Sequence, residues 1–574
     1  MVLEAVYHRI DSEYCYAVER GKLLIKIRCK KNDFDTVKLH CYDKYMFSRK
    51  AAEKITVKME KRYSDTMFDY FEAEADNSFK SLFYYFRLEN SKTVIYYGNL
   101  GFYEIEPDKS KQFFLIPYTH EADMVNIPDW TKDSIVYQIF PDRFHPGEEN
   151  FGEEWYKTIE NHREIHGGKL RGITQKLDYI KELGVDTIYM TPIFKAGSSH
   201  KYDTHDYYEI DSDFGTKEEF RELVRKAHEK GVKIILDCVF NHCGVEFFAF
   251  KDLLQNQENS KYLDWFNVKE FPVEVRDFPP YESFGYYKVM PKLMLDNPEV
   301  RGYFIEVAKY WIREFDIDGW RLDVGNEISH DFWREFRKEV KKLKQDLFIV
   351  GEIWHESSPW LNNGEQYDSV MNYIFAGNIW DFIGSKTIDA EQFSENMGRV
   401  MALYKRPILY SLWNMIGSHD TSRFLTTAEG KIDRLKLAVL IQMTFIGIPV
   451  IYYGDETGME GGGDPYCRQP MLWESKQNND IREYYKKAAE LRRDNIVFRR
   501  GDIKMVYADK NSNLLIYERV YGDEKATVII NSGEKEFLIE ESHNKKILFG
   551  KEFIRVNSDG NFILEQGKGA VLGF

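Results

Sequence analysis

Short runs of alternating apolar and polar residues fill the first part of the chain, and this pattern predicts β-strands. The segments Leu23-Leu24-Ile25-Lys26-Ile27 and Thr93-Val94-Ile95-Tyr96-Tyr97 are two such runs, and polar, turn-like clusters separate them. We therefore expect residues 1–122 to form an N-terminal β-sandwich. Similar runs return over residues 497–574, with turns such as Asn531-Ser532-Gly533, and predict a smaller C-terminal β-sandwich.

Between these two regions, apolar runs of strand length alternate with helical patterns, which is typical of a parallel sheet covered by helices. Thr216 and Glu219, for example, form a capping box that predicts the start of a helix. Eight strand–helix units fit a (β/α)8 TIM barrel over residues 123–496, and they place the chain in the α/β class. The predicted strands lie at about 135–139, 187–190, 233–237, 318–323, 347–352, 369–372, 413–418 and 449–453.

An irregular, aromatic-rich segment interrupts this alternation after the third predicted strand. It covers residues 243–297 and ends at Asn297-Pro298, a pair that predicts a helix N-cap followed by proline in the first helical position. We therefore expect residues 243–297 to form an inserted domain on the barrel.

Composition and charge narrow the classes of partner. The 574 residues include 79 basic and 94 acidic side chains, a net charge of −15, which predicts no binding to nucleic acid or to an anionic membrane. Aromatic residues make up 16% of the chain and offer flat faces on which a neutral sugar can stack. The longest apolar stretch, residues 437–453, is too short and too interrupted to span a bilayer and predicts a buried helix and strand.

The start of the chain and the cysteines indicate the compartment. Met1-Val2-Leu3-Glu4 lacks the basic and apolar regions of a signal peptide, and the six cysteines lack the dense pairing of a secreted scaffold. We expect a cytoplasmic protein. Cys238, His242 and Cys243 have no second pair of ligands at zinc-site spacing, so a zinc site is not predicted.

Acidic residues follow several of the predicted barrel strands. A helix cap or a surface ion pair would explain one acid in such a place, but four strand ends aimed at one mouth predict a site, because barrel chemistry lies at the carboxyl ends of the strands. The residues are Asp237 after strand 3, Asp323 after strand 4, Glu352 after strand 5 and Asp420 after strand 7, with His242, Arg321 and His419 beside them.

These strand ends resemble the four conserved segments of the α-amylase family of glycoside hydrolases, in order and in spacing. Met290-Pro291-Lys292-Leu293 is similar to the inserted-domain signature of the neopullulanase, cyclomaltodextrinase and maltogenic amylase subfamily. His200-Lys201-Tyr202-Asp203-Thr204 resembles the loop after strand 2 in the same enzymes. The N-terminal region resembles their starch-binding-type module, so the resemblance covers essentially the whole chain.

The resemblance implies a role for each carboxylate. Asp323 corresponds to the nucleophile and Glu352 to the acid/base of a retaining mechanism, in which the two carboxyl groups stand ~5 Å apart across the anomeric carbon. Arg321, two residues before Asp323, should lie on the same face of strand 4 and keep that carboxylate ionised. Asp420 would bind ring hydroxyls and favour the oxocarbenium-like transition state.

The resemblance also implies a set of substrate-binding side chains. His242 and His419 would donate hydrogen bonds to the sugar at the cleavage site, and Tyr202 would stack on it. The remaining members of the set are Trp354 on the leaving-group side and the pair Asp464 and Arg468 at the next glucose. Taken singly, the histidines and Trp354 could be ordinary core residues, and Asp464 with Arg468 could be a surface ion pair.

The resemblance bears on cofactors and assembly as well. Some subfamily members carry an acidic calcium ligand after paired glycines, where this chain has Gly167-Gly168-Lys169, and a lysine repels a hard cation. We therefore expect no required cofactor; a weakly bound calcium would need Asn150 and the neighbouring acids Glu148, Glu149, Glu153 and Glu154. The subfamily implies a homodimer formed through the N-terminal domain.

The expected activity is retaining hydrolysis of α-1,4 bonds, with α-1,6 bonds as an extension, in cyclodextrins, pullulan and short maltooligosaccharides. It would proceed through a glycosyl-Asp323 intermediate with some transglycosylation. Two alternatives stay open: a non-catalytic α-glucan-binding protein on the same fold, and a glucanotransferase, which shares the intermediate and differs only in the acceptor. The intact set of Asp323, Glu352 and Asp420 favours an enzyme.

Overall fold

The computed structural model describes residues 1–76, 81–148, 151–161, 163–540, 542 and 545–573. In the first of these ranges and the start of the second, two antiparallel sheets face each other across a core that includes Leu23, Ile27, Tyr84 and Phe86. Alternate residues of each strand point into this core, as the alternating pattern predicted. The strands are Cys15–Glu19, Lys22–Lys30, Thr36–Asp43, Ile55–Lys58, Glu60–Ser64, Phe68–Asp76, Leu82–Glu89, Val94–Gly98, Gly101–Tyr103 and Phe114–Ile116.

A parallel barrel occupies the middle of the chain and confirms the predicted fold class. Neighbouring strands pair in parallel around the sheet, and a single bridge between Met371 and Trp413 closes it between the sixth and seventh strands. We number its strands β1 to β8: Val136–Ile139, Thr187–Met190, Lys233–Cys238, Gly319–Leu322, Phe348–Gly351, Ser369–Val370, Trp413–Met415 and Ile448–Tyr452.

Large side chains such as Tyr189, Phe348 and Trp413 fill the inside of the barrel, so it is a packed core and not a pore. The helices outside it begin where their caps predict: Thr216 accepts a hydrogen bond from the Glu219 N–H at 3.2 Å, and Asn297 accepts one from the Glu299 N–H at 2.8 Å. The longer helices are Leu170–Gln175, Leu177–Glu182, Lys217–Glu229, Pro298–Phe315, His330–Leu343, Tyr373–Ile379, Ala390–Leu403, Ile432–Thr444 and Asn479–Asp494.

The insertion after β3 forms a helix, Phe248–Asn256, and short turns around buried aromatic rings such as Phe250 and Tyr281. A bridge between His242 and Lys292 returns this segment to the end of β3, and a second bridge joins Phe266 to Leu293 within the insertion. The insertion therefore reaches the carboxyl-terminal mouth of the barrel. A short hairpin after β2, Phe194–Ala196 with Thr204–Ile210, forms another side of that mouth.

The C-terminal region has a five-stranded and a three-stranded antiparallel sheet, in agreement with the predicted second sandwich. Its residues Val528, Ile530 and Val571 join the core that contains the barrel helices. The domain limits 1–122, 123–496 and 497–574 stay predictions. The strands are Asp502–Asp509, Leu514–Tyr521, Glu524–Asn531, Phe537–Ile539, Lys546–Phe549, Ile554–Val556, Phe562–Leu564 and Lys568–Gly573.

All three regions meet at a junction of charged side chains around Arg406, which lies between β6 and β7. The Arg406 guanidinium donates to Glu72 at 3.2 Å and to Glu74 at 2.7 Å in the N-terminal sheet. Its Nη1 also lies 3.7 Å from Asp502 of the C-terminal region. Lys26, with a side chain only 1% exposed, donates from the N-terminal sheet to the Ala402 carbonyl at 3.1 Å.

Two further observations bear on the sequence predictions. In the part of the chain that the structure describes, no helix has the length and apolar character needed to cross a membrane. The six cysteines are all buried and none forms a disulfide.

Candidate active site

A cleft of about 920 Å³ opens at the carboxyl ends of the barrel strands. The structure brings all ten predicted site residues together there. Two of them, Arg321 and His419, are fully buried beneath its floor. The other eight line the cleft: Tyr202, His242, Asp323, Glu352, Trp354, Asp420, Asp464 and Arg468.

Arg321 is the centre of the charged groups. It lies opposite Asp237 in the register of β3 and β4, and its Nη1 donates to both oxygens of that carboxylate at 3.0 and 3.1 Å. The same Nη1 donates to Asp323 Oδ1 at 2.9 Å, while Nη2 lies 2.9 Å from Glu352 Oε2. One guanidinium therefore holds three carboxyl groups from three adjacent strand ends, and the predicted pairing of Arg321 with Asp323 is present.

The Asp323 carboxyl group is 7% exposed and has one oxygen left for chemistry. Its Oδ2 accepts no hydrogen bond from the described residues. Burial and the nearby Glu352 carboxylate raise the pKa of Asp323, and the Arg321 guanidinium opposes them. Burial also raises the pKa of Asp237, to about 6. The two buried aspartates therefore keep their protons to a higher pH than an exposed aspartate would.

Glu352 is the most open of these three carboxyl groups. Its Oε2 accepts the Val324 N–H at 3.0 Å, and its Oε1 accepts the Trp354 indole N–H at 3.1 Å. The Trp354 ring stacks on Tyr373 with centroids 3.8 Å apart and is 43% exposed at the cleft. Trp354 thus offers a flat aromatic face to the cleft beside the Glu352 carboxyl group.

His419 lies under Tyr202, and the two rings are nearly parallel at 5.6 Å. Its Nε2 is 2.6 Å from the Tyr202 hydroxyl oxygen and 3.1 Å from Asp420 Oδ2. Burial, together with the Arg468 and Arg321 charges, lowers the pKa of His419 well below its usual value. The imidazole is therefore neutral, with one donor and one acceptor nitrogen.

His242 stands at the other side of the cleft, stacked on Phe284 of the insertion with centroids 5.0 Å apart. Burial and the nearby Lys292 lower the pKa of His242 to about 3, so this imidazole is neutral too. Its Nε2 has no hydrogen-bond partner among the described residues. A buried polar atom in this position is free to bind a substrate hydroxyl.

Arg468 connects the two outer carboxylates of the predicted set. Its Nη2 donates to Asp420 Oδ1 at 2.9 Å, and its Nη1 lies 3.1 Å from Asp464 Oδ2. Its Nε donates to the His419 carbonyl at 2.7 Å. The predicted pair is therefore an ion pair that lines the cleft and also braces the segment carrying Asp420.

Four contacting residues were not assigned a role from the sequence. The sequence placed Asp237 at a strand end, but only the strand register pairs it with Arg321. Phe284 lies in an irregular segment with no readable period, and no motif marked Tyr373 or Gln138, whose amide contacts His419.

Lys169, which stands where some members of the subfamily carry an acidic calcium ligand, does not suit a hard cation. The Lys169 ammonium donates to the Asp213 carbonyl at 2.5 Å, so a cation of the protein already occupies this carbonyl. Glu149 and Asn150, which the sequence offered as ligands, lie outside the described residues. Among those described, no group of three or more His, Cys, Asp or Glu residues is arranged to hold a metal ion.

Comparison with known proteins agrees with this geometry. The family described as "Alpha amylase, catalytic domain" matches residues 138–533, and "Alpha amylase, N-terminal ig-like domain" matches residues 1–120. A solved cyclomaltodextrinase structure superposes with a TM-score of 0.91 at 38% identity, covering 100% of both chains.

Three curated relatives extend the comparison. Cyclomaltodextrinase of Thermoanaerobacter pseudethanolicus is 42% identical over 100% of both chains. Neopullulanase 2 of Thermoactinomyces vulgaris is 43% identical over 94% of this chain and 93% of its own. Intracellular maltogenic amylase of Bacillus subtilis is 36% identical over 93% and 92%. The chain belongs to the α-amylase family of glycoside hydrolases, in its cyclomaltodextrinase, neopullulanase and maltogenic amylase subfamily, and the predicted resemblance is confirmed.

Proposed function

We propose that this glycoside hydrolase cleaves α-1,4 bonds, and α-1,6 bonds as a second activity, in cyclodextrins, pullulan and short maltooligosaccharides, with retention of configuration. The observation that carries the proposal is the attachment of Asp323 and Glu352 to one guanidinium, that of Arg321. A retaining enzyme places its two carboxyl groups ~5 Å apart, on either side of the bond that breaks. The shared guanidinium keeps the Asp323 and Glu352 groups beside one point of the cleft, which supports this mechanism.

In the first step, the unpartnered Oδ2 of Asp323 attacks the anomeric carbon while the bond to the leaving oxygen breaks. Glu352 donates a proton to that oxygen as the bond breaks. In the second step, Glu352 takes a proton from a water, whose oxygen displaces Asp323 and returns the α-anomer. A sugar hydroxyl in place of the water gives transglycosylation.

The surrounding residues have supporting roles in the same proposal. The neutral imidazoles of His242 and His419 and the carboxylate of Asp420 bind hydroxyls of the sugar being cleaved, and Tyr202 stacks on it. On the leaving-group side, the exposed ring of Trp354 receives the next glucose. The ion pair of Asp464 and Arg468 binds the glucose on the opposite side.

The test is the configuration of the first product, followed by proton NMR during hydrolysis of maltotriose. The α-anomer should appear first and mutarotate later; initial β-anomer would contradict the mechanism. Asp323→Asn should lose nearly all turnover while still binding maltotriose, and the exposed Asp316→Asn should behave like the native chain. A native chain that binds but never hydrolyses maltotriose would instead favour the non-catalytic alternative.

The lengths of the product sugars distinguish a hydrolase from a glucanotransferase. We expect cyclodextrin, pullulan and maltotriose to give mostly shorter sugars than the substrate, with longer transfer products in the minority. Chromatography of the products at low and high substrate concentration measures this ratio. Longer sugars that dominate even at low concentration would favour the transferase.

We also propose that the enzyme is a cytoplasmic homodimer, formed through its N-terminal region, that requires no cofactor. The name of the intracellular relative supports the compartment.

Several apolar side chains of the N-terminal region are exposed, among them Tyr45 at 53% and Tyr118 at 55%, which suits a protein interface. Light scattering should give twice the chain mass of 68.1 kDa. Dilution to monomers should lower the ratio of cyclodextrin to starch hydrolysis; a single-chain mass at every concentration would refute the dimer.

A further inference from the structure

Gln138 is a fully buried residue of β1 whose side-chain amide reaches the floor of the cleft. Its Nε2 lies 2.6 Å from Nδ1 of His419, and its Oε1 accepts no hydrogen bond from the described residues. The amide thus touches the one nitrogen of His419 that faces away from Asp420. Whether Nδ1 carries a proton follows from the contacts of Nε2.

His419 Nε2 faces two oxygens that need a donor. The Asp420 carboxylate, at 3.1 Å, can only accept. The Tyr202 hydroxyl, at 2.6 Å, donates its single proton to Asp237 Oδ2 at 3.0 Å, so it presents lone pairs to His419. The carboxylate contact requires a proton on Nε2, and the hydroxyl oxygen can accept from the same N–H. Because burial and the Arg468 charge lower the pKa of His419, the neutral ring carries no second proton on Nδ1.

An unprotonated Nδ1 needs a donor, and the Gln138 amide N–H supplies it. A half-turn of the amide would place Oε1 against the Nδ1 lone pair. Moving the proton to Nδ1 would relieve that contact but would turn an Nε2 lone pair toward the carboxylate of Asp420. The amide orientation and the tautomer of His419 therefore select each other.

We propose that Gln138 is a positioning residue that holds His419 in its Nε2–H tautomer, so that the buried imidazole donates to Asp420 and Tyr202, the side chains that line the cleft and meet the sugar. The inference rests on the proposed function, since the donor matters to turnover only when a glucan is bound. In the other tautomer, Nε2 would present a lone pair to the Asp420 carboxylate and repel it from its position in the cleft. Gln138 thereby acts on the substrate through His419 without touching it.

Gln138→Glu tests the tautomer, because the new side chain has the same shape but its ionised carboxylate can only accept. At high pH the new carboxylate is ionised and draws the proton of His419 to Nδ1. At low pH the carboxyl–imidazole pair holds one more proton, and Nε2 carries its proton again. The ratio of its kcat/KM to the native value should therefore fall as pH rises. The titratable and charged groups that face His419 are Tyr202, Arg321, Glu352, Asp420, Cys467 and Arg468.

Gln138→Met removes the donor without adding a charge, and it should lower kcat/KM by about 10- to 100-fold at every pH, as expected for loss of an outer partner. The matched control is Gln442→Glu. Gln442 is also fully buried, but it donates to the carbonyls of Asn414 and Val450 and does not contact His419. The ratio of kcat/KM for Gln442→Glu to the native value should not change with pH. A flat ratio for Gln138→Glu, or native kcat/KM in Gln138→Met, would overturn the proposal.

A spectroscopic measurement separates this proposal from the proposed function. In native chain labelled with ¹⁵N-histidine, the His419 signals are those that disappear in His419→Gln. We expect a protonated Nε2 and an unprotonated Nδ1, whether or not the chain hydrolyses maltotriose. A protonated Nδ1 would refute the role of Gln138 and leave the hydrolase mechanism untouched, whereas a native chain without turnover would refute the mechanism alone.

Discussion

Replacing Arg321 by Met should move the acidic limb of the kcat/KM profile to higher pH. The charged hydrogen bond from Arg321 to Asp323 Oδ1, 2.9 Å long, stabilises the ionised nucleophile. A hydrogen bond to a charged group contributes about 1.5–3 kcal/mol, which corresponds to about one to two pKa units. Without the cation, the Asp323 carboxyl keeps its proton to higher pH, so activity on the acidic side is lost. Proton uptake by Asp237 removes a neighbouring negative charge and limits the shift to this range.

The assay is kcat/KM for maltotriose between pH 4 and pH 9, since this parameter reports the pKa values of the free enzyme. Arg321→Lys keeps a positive charge but not the fork of donors, and its limb should lie between those of Arg321→Met and the native chain. The matched control is Arg492→Met. Arg492 is equally buried, but its partners among the described residues are the carbonyls of Met443, Gly447 and Phe498. An unmoved limb in Arg321→Met, or an equal shift in Arg492→Met, would refute the electrostatic reasoning.

Two more predictions concern stability and metal. Burial raises the pKa of Asp186 to about 6, so the native chain should lose stability as pH rises from 4 to 6, by about 3 kcal/mol for two pKa units. Asp186→Asn keeps the oxygen that accepts hydrogen bonds from Ile135 and Thr187. The urea midpoint of this variant should not decrease between pH 4 and pH 6. An equal decrease in both proteins would exclude Asp186 as the cause. Because Lys169 occupies the calcium position, dialysis against EDTA should change neither the melting temperature nor the activity, and a loss that added calcium restores would disprove this.

The sequence predicted those site residues whose position in the barrel follows from the strand on which they lie. Carboxylates at the ends of barrel strands are the clearest case. Asp323, Glu352 and Asp420 follow strands whose direction is fixed by the strand–helix alternation, so their common mouth could be inferred. The helix starts at Thr216 and Asn297 could be predicted because capping depends on residues adjacent in sequence.

The contacts between residues far apart in sequence could not be predicted in the same way. Gln138 contacts His419 across 281 positions, and a single glutamine inside a strand has no pattern that indicates its partner. Phe284 stacks on His242 only because the insertion returns to β3, and an irregular segment has no period from which its path can be inferred. Asp237 needed the register of β3 against β4 before its pairing with Arg321 was visible.

The charged junction around Arg406 limits how this chain could exchange parts with its relatives. A replacement of the N-terminal sheets alone would remove the carboxylates of Glu72 and Glu74 and leave a guanidinium, 16% exposed, facing a new surface. Asp502, 3.7 Å away, would remain, but two of the carboxylates that compensate this charge would be lost, which is costly. The Ala402 carbonyl would lose its bond from Lys26 as well. Recombination at the border between sheets and barrel would therefore have to carry both sides of the junction together. The N-terminal region and the barrel would then form one unit of exchange.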